Sequence, residues 1–551
     1  MRARAIPIFD IETEFDGLGA HELTAMLGGK AAGLVRMRRD LGLPVPSGFV
    51  IGPELSLDCL ANGWPASLDA EIDRYLERLE ARAGSRLGDP DSPLLVSVRS
   101  GAIEMPGMMD TILDLGIGAS TLDGLARRLG SERAAVECWL RFIRMYATSV
   151  LGLSPEELDE YPQRGDSASV LRAKVEGLLR YCEVRGAPIP EDFRCQLRQA
   201  IVAVFRSSDS ARARAYRRRE GLAGNAGTAV IVQTMVFGNA GPRSAAGVAF
   251  SRDPSTGERR NCGEFVMDGQ GMDVVSGMRT TESLDAMAGV LPSAYDALVT
   301  ALERLEHLYR DMCSVEFTVE RGRLYLLQVR PARRSAQAAV RVAVDLCAHE
   351  AIAIGRDEAL QRVSPQQMRR LSEGEVAVDA TAVPDGTGEA ASPGAVVGVA
   401  CFDPDEVGKM RAAGLQPILM RRLTLPDDVH GIVHAAAIVT ARGGIASHAA
   451  VVARSWGVPA VCGVSQLVFG ETVSIGGRSV APGDILTVDG RNGRVLLGDH
   501  AVTGAIAPPP IGFEDICRWS NEQARQNPGA RPAAEPGPIV PGWRLAPDAR
   551  R

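Results

Sequence analysis

Residues 440–463 read TARGGIASHAAVVARSWGVPAVCG. An apolar strand-like run ends at Gly443 and Gly444, and His448 then opens a helix of small residues. The first turn of such a helix leaves backbone N–H groups unpaired. An imidazole has an ordinary pKa of about 6.5, so near neutral pH it offers a free lone pair and is a competent phosphoryl nucleophile. Helix N-terminal N–H groups and Ser447 are placed to stabilise a phosphate formed there. Taken alone, a histidine beside apolar residues is usually a satisfied core residue. The surrounding runs ASPGAVVGVACF, AVCGV and DILTVDG alternate buried strands with short helices and predict a compact unit over 385–499.

Two further constellations lie upstream. In GGKAAGLVRMRRDLGLPVPSGFVI (28–51), Lys30 sits among small residues and opens an amphipathic helix. Glycines let a backbone approach a polyanion, and a helix N-terminus with a lysine favours phosphate. In SVRSGAIEMPGMMDTILDLG (97–116), Arg99 ends a strand and the Gly/Met-rich loop Gly101 to Met109 is long enough to fold over phosphates. Both strings also read as a glycine turn with a solvated lysine and a packed methionine-rich loop. The clearest hairpin is CSVEFTVE-RG-RLYLLQVR (313–330), with Glu316 and Gln328 on facing strands and Arg330 two residues on. A carboxylate and a carboxamide suit a magnesium ion held mainly by nucleotide phosphates, and Arg330 is placed to neutralise a transferred phosphoryl group.

Around these motifs the chain divides into 1–118, mixed strands and helices; 119–227, helical; 228–331, β-rich; 332–384, a helical linker; 385–499; and a Pro-, Ala- and Arg-rich end, 500–551. With 551 residues, two to four domains are expected. A net charge of −7 gives no general attraction to nucleic acid or anionic membrane. The ten cysteines are scattered, with no zinc-type spacing. No apolar run is long enough to span a bilayer and the N-terminus does not read as a signal peptide, so a cytoplasmic location is expected.

Taken together, these strings closely resemble the pyruvate phosphate dikinase family. The likeness continues through TAVIVQTMVFGNAGPRSAAGVAFSRDPSTGE (228–258), QGMDVVSGMRT (270–280) and ASPGAVVGVACF (391–402), and covers about 18 to 500. The resemblance implies an α/β and α+β multidomain fold. An ATP-grasp nucleotide-binding region with a helical insert would be followed by a swivelling β/α phosphohistidine domain. Under it Lys30, Arg99, Gly101, Met109 and Arg330 look like contacts to ATP, and Glu316 and Gln328 like ligands of Mg²⁺. His448 looks like the phosphoryl carrier. It implies AMP as product, with inorganic phosphate as the second phosphoryl acceptor.

Three positions depart from the family pattern. Ser314 and Met272 stand where carboxylates are usual, and Ala446 replaces a threonine two before the histidine, which excludes regulation by phosphorylation there. GFEDICRWSNEQARQNPGAR (512–531) resembles the family's connector into a pyruvate-binding barrel and then gives way to low complexity. The expectation is therefore a disordered tail over 500–551, no barrel, and an acceptor bound outside this chain: a small molecule, a protein, or pyruvate on a separate barrel protein. The competing reading is a non-catalytic nucleotide-sensing or scaffold remnant of a dikinase.

Overall fold

A computed structural model describes residues 6–102, 109–158, 165–210, 213–214, 217–218, 227–275, 279–373, 376–424, 428–506 and 508–526. The chain forms two compact units. The first comprises Met1–Ala246, Met267–Gln270 and Val315–Arg330, and the second Gly247–Val266, Gly271–Ser314 and Pro331–Arg551.

The first unit is organised by an antiparallel sheet with strand order Ile8–Asp10, Gly48–Ile51, Val230–Thr234, Val96–Ser100, Thr111–Leu115. Its middle strand arrives from far along the chain and is apolar on both faces, with Val230, Ile231 and Val232 fully buried, as a strand covered on both sides requires. The helical segment supplies the cover. In the helix Glu132–Ser149, Ser131 caps the N-terminus by accepting from the Ala134 N–H. Val136, Leu140, Ile143 and Ala147 then recur at three- and four-residue spacing and are buried. Asp192 caps the helix Phe193–Ser207 in the same way, and Leu197, Ile201 and Val204 form its inward stripe. Both stripes join the core that contains the sheet residues Phe49, Val98 and Val232. Strands Cys313–Glu320 and Arg323–Pro331 are neighbours in a second sheet. Arg321 and Gly322, which link them, have φ of 52° and 85°, the pair of left-handed residues that a tight type I′ hairpin demands.

The second unit holds an eight-stranded sheet in the order Gly386–Thr387, Arg494–Leu497, Ile485–Asp489, Ala395–Cys401, Pro417–Arg421, Ala437–Thr440, Ala460–Cys462, Glu389–Ser392. The consecutive pairings from Ala395–Cys401 to Ala460–Cys462 are parallel. Side chains alternate between its faces with the period of two that a pleated strand imposes. Leu419 and Ile438 enter a core with Ala449, Ala450 and Ala453, while Ile418, Met420 and Val439 enter another with Leu486 and Val488. Among the described residues no helix is long and apolar enough to cross a membrane.

One expectation is corrected. The segment read as a disordered tail from 500 forms a strand, Ala501–Ile506, paired with Val376–Val378, and a helix, Phe513–Gln526; residues 527–551 lie outside the described residues. The segment's poor apolar content hides a single stripe. Phe513, Ile516 and Trp519 share one helix face and pack with Ala339, Val340 and Ala343 of the helix Ala336–Ala348. Replacing Trp519 with Ala is expected to cost about 3 kcal/mol, the usual loss for a large buried aromatic, seen as a lowered denaturant midpoint. An unchanged midpoint would show that this helix does not belong to the core.

Candidate functional site

In the first unit the sheet and the hairpin gather cationic side chains around one carboxylate. The helix Gly29–Arg39 places Lys30 in its first turn. Its backbone N–H donates to Gly101 O at 2.9 Å, and Gly101 N–H donates to Ala229 O at 2.7 Å, so the loop begins hard against the helix N-terminus. The approach needs Gly28, whose φ is +76° and at which a Cβ would lie 3.0 Å from Gly101 O. Ser100 ties the loop's ends together, through 3.1 Å contacts to Met109 Sδ and to the Ala102 N–H. Residues 103–108, the part expected to cover phosphates, lie outside the described residues.

Arg99, on the strand Val96–Ser100, donates to Gln233 Oε1 at 2.7 Å and to Leu327 O at 2.6 Å. Gln233 is itself held by Pro46 O, to which its Nε2 donates at 2.9 Å. The Nε of Arg99 is buried and has no acceptor among the described residues. Burial is the main force lowering the pKa of Lys30, to about 8. Arg99 pushes in the same direction, Glu316 opposes it and Arg330 adds to the lowering. Burial also lowers the pKa of Arg99, again against Glu316. Lys30, Arg99, Glu316 and Arg330 thus share one electrostatic environment, with three cations facing one carboxylate. Gln328 is buried on the strand beside that of Glu316, and among the described residues no hydrogen bond joins the two side chains. Among those residues there is also no group of three His, Cys, Asp or Glu able to hold a metal ion. Of the two positions where carboxylates were expected, Ser314 is buried and Met272 exposed.

In the second unit His448 is the first residue of the helix His448–Trp456, just beyond the C-terminal end of the parallel strand Ala437–Thr440. Open α/β sheets bind ligands at this edge. Ser447 is the N-cap. Its Oγ accepts from the Ala450 N–H and donates to Gly444 O at 2.7 Å, so the hydroxyl expected to meet phosphate is engaged as a cap. Thr424 Oγ1 lies 3.3 Å from His448 Nδ1. Burial lowers the pKa of His448, and Asp428 partly opposes this. The imidazole is therefore neutral at pH 7. In the tautomer that donates Nδ1–H to Thr424, the lone pair is on Nε2.

The loop before His448 is built around two residues that the sequence reading passed over. The Glu264 carboxylate accepts from the Ile445 N–H at 2.7 Å and the Ala446 N–H at 3.2 Å. Arg454, buried, donates to Ile445 O at 2.7 Å and Ala391 O at 2.9 Å. Gln233, Thr424 and Glu264 carry no local signal, because each acts on a residue distant in sequence.

Residues 53–290 match the family model described as pyruvate phosphate dikinase, AMP/ATP-binding domain, and 415–493 match that of the PEP-utilising enzyme, mobile domain. The chain is 41% identical over 527 residues to the chloroplastic pyruvate, phosphate dikinase of Mesembryanthemum crystallinum, an alignment covering 92% of this chain and 55% of the relative. It is 38% identical over 538 residues to the pyruvate, phosphate dikinase of Rhizobium meliloti (strain 1021), covering 92% of this chain and 59% of that protein. The chain thus spans a little over half the length of these curated relatives.

The low pKa of Lys30 gives a pH signature for any polyphosphate bound beside it. Lys30 is charged below about pH 8 and neutral above it, whereas a bound polyanion draws the proton back. Binding of a nucleoside triphosphate should therefore take up a proton above pH 8. Its Kd should rise by up to about tenfold per pH unit there, as calorimetric titration would show. Lys30→Arg should flatten that rise; a slope unaltered by the substitution would remove Lys30 from the site.

Proposed function

We propose, from its similarity to pyruvate phosphate dikinases across the nucleotide-binding and mobile domains, that the chain transfers a phosphoryl group from ATP to Nε2 of His448. The observation that carries this reading is the environment of His448. A neutral ring at a helix N-terminus, with Nδ1 engaged by Thr424, presents one free nitrogen lone pair. In the step, Nε2 attacks a phosphorus of ATP, an N–P bond forms and a P–O bond breaks. The remaining transferable phosphoryl group passes to inorganic phosphate, leaving AMP and pyrophosphate. Nδ1 keeps its proton throughout, so the imidazolium charge that develops is met by Thr424 and Asp428.

On the donor side, Lys30, Arg99 and Arg330 would bind phosphate oxygens, and the buried Nε of Arg99 gains an acceptor. Gln233 keeps that guanidinium oriented, and Gly101 and Met109 would lie beside the nucleotide. One carboxylate and one carboxamide are too few to hold a metal alone, but they fit a magnesium ion that takes its other ligands from phosphate and water. Glu316 and Gln328 would hold Mg²⁺ there, and when bound it offsets charge on the transferred group.

Onward transfer requires His448 to visit a second site, which a carrier does by moving on its flanking segments. The relatives' name specifies pyruvate, so pyruvate, held outside the two units, is the acceptor to test first. The loss of carboxylates at Ser314 and Met272 favours a second reading, a nucleotide sensor that binds ATP without turnover.

Incubation with Mg²⁺ and ATP labelled in turn at the β and γ positions separates the two. The expected result is acid-labile, base-stable label on the wild type, none on His448→Ala, and AMP released. Thr424→Val should label about tenfold more slowly, the worth of one hydrogen bond of about 1.4 kcal/mol. ATP binding with no label on the wild type would leave the sensor reading standing alone.

A further inference from the structure

The two backbone N–H groups before His448 form a small anion seat, and a side chain of the protein fills it. Glu264, on the strand Cys262–Met267, is 5% exposed. Each of its carboxylate oxygens takes one N–H, Oε1 from Ile445 at 2.7 Å and Oε2 from Ala446 at 3.2 Å. The loop is shaped for this guest, since a Cβ on Gly444 would lie 1.5 Å from Glu264 Oε1. The opposite end of the helix meets positive charge. Arg333 donates to Ser455 Oγ at 3.3 Å, and the Arg370 guanidinium packs so closely on Gly457 that a Cβ there would lie 1.7 Å from Nη1. A carboxylate at the N-terminal end and arginines at the C-terminal end are the arrangement that a helix dipole favours. The charged neighbours of Glu264 are Glu389, which repels it, and Arg454, which attracts it.

We propose that Glu264 is a latch released by phosphorylation: its carboxylate seats the His448 loop while the histidine is bare, and a phosphoryl group on His448 expels it. The inference rests on His448 being the phosphoryl carrier. A phosphohistidine puts close to two negative charges at the helix terminus where Glu264 already places one. The two anions repel each other and compete for the N–H donors of this short stretch, and the larger charge prevails. Loading the histidine would then free the loop to carry its phosphoryl group away, while the unloaded loop returns to its seat.

The test loads His448 chemically, with phosphoramidate, so that it does not depend on the protein's own kinase step. Amide hydrogen exchange is followed over residues 443–456 of the full chain. In the wild type, phosphorylation should raise exchange at Ile445 and Ala446 at least tenfold. Glu264→Gln and Gly444→Ala should each exchange that fast before treatment, with a further rise on phosphorylation of less than about threefold. His448→Ala, treated alongside, should not change. Equal protection in the bare and phosphorylated wild type would overturn the latch. Release on chemical loading without label from ATP would leave the latch standing and remove the kinase reading. Label from ATP without release would do the reverse.

Discussion

The insertion of Val230–Thr234 between Gly48–Ile51 and Val96–Ser100 is the constraint from which the geometry around Lys30 and Arg99 follows. It pairs Val98 with Val232 and Val50 with Ile231, joining segments more than a hundred residues apart. An antiparallel register admits no slip of one residue without turning a buried face outward, so the pairing fixes Gln233 as well. That carboxamide takes the Arg99 guanidinium and is anchored on Pro46 O. Gly101 is drawn down on Ala229 by the continuing ladder and meets the Lys30 N–H. A single strand placement thereby positions a lysine, an arginine and the root of a loop.

The second unit sets a different problem if His448 acts as proposed, which is to keep the imidazole neutral without hiding it. Burial lowers the His448 pKa, which keeps the lone pair free at neutral pH but leaves a developing positive charge poorly solvated. Thr424 at Nδ1 and Asp428 nearby supply what water would otherwise provide. The helix dipole favours an anion at the same point; it opposes positive charge within the ring, which is left to Thr424 and Asp428.

Much of this was legible in the sequence, because the signals are local. The Arg321–Gly322 turn, the helix opening at Lys30, the strand end at Arg99 and the Ser447–His448 helix start are each set by residues within a few positions. The long-range partners were not legible. Glu264 reads as a polar residue in an apolar strand, and its bonds to Ile445 and Ala446 cross 181 and 182 residues. Gln233 reaches Arg99 across 134. The helix Phe513–Gln526 was missed for another reason. Composition averaged over a Pro- and Arg-rich end conceals three apolar residues that suffice when a complementary helix face is waiting.

The charge balance of the Lys30 cluster bears on the proposed chemistry. Burial, with repulsion from Arg99 and Arg330 against the attraction of Glu316, brings Lys30 down to about 8. On the proposed reading, a polyphosphate would pair Lys30, Arg99 and Arg330 at once and offset that repulsion.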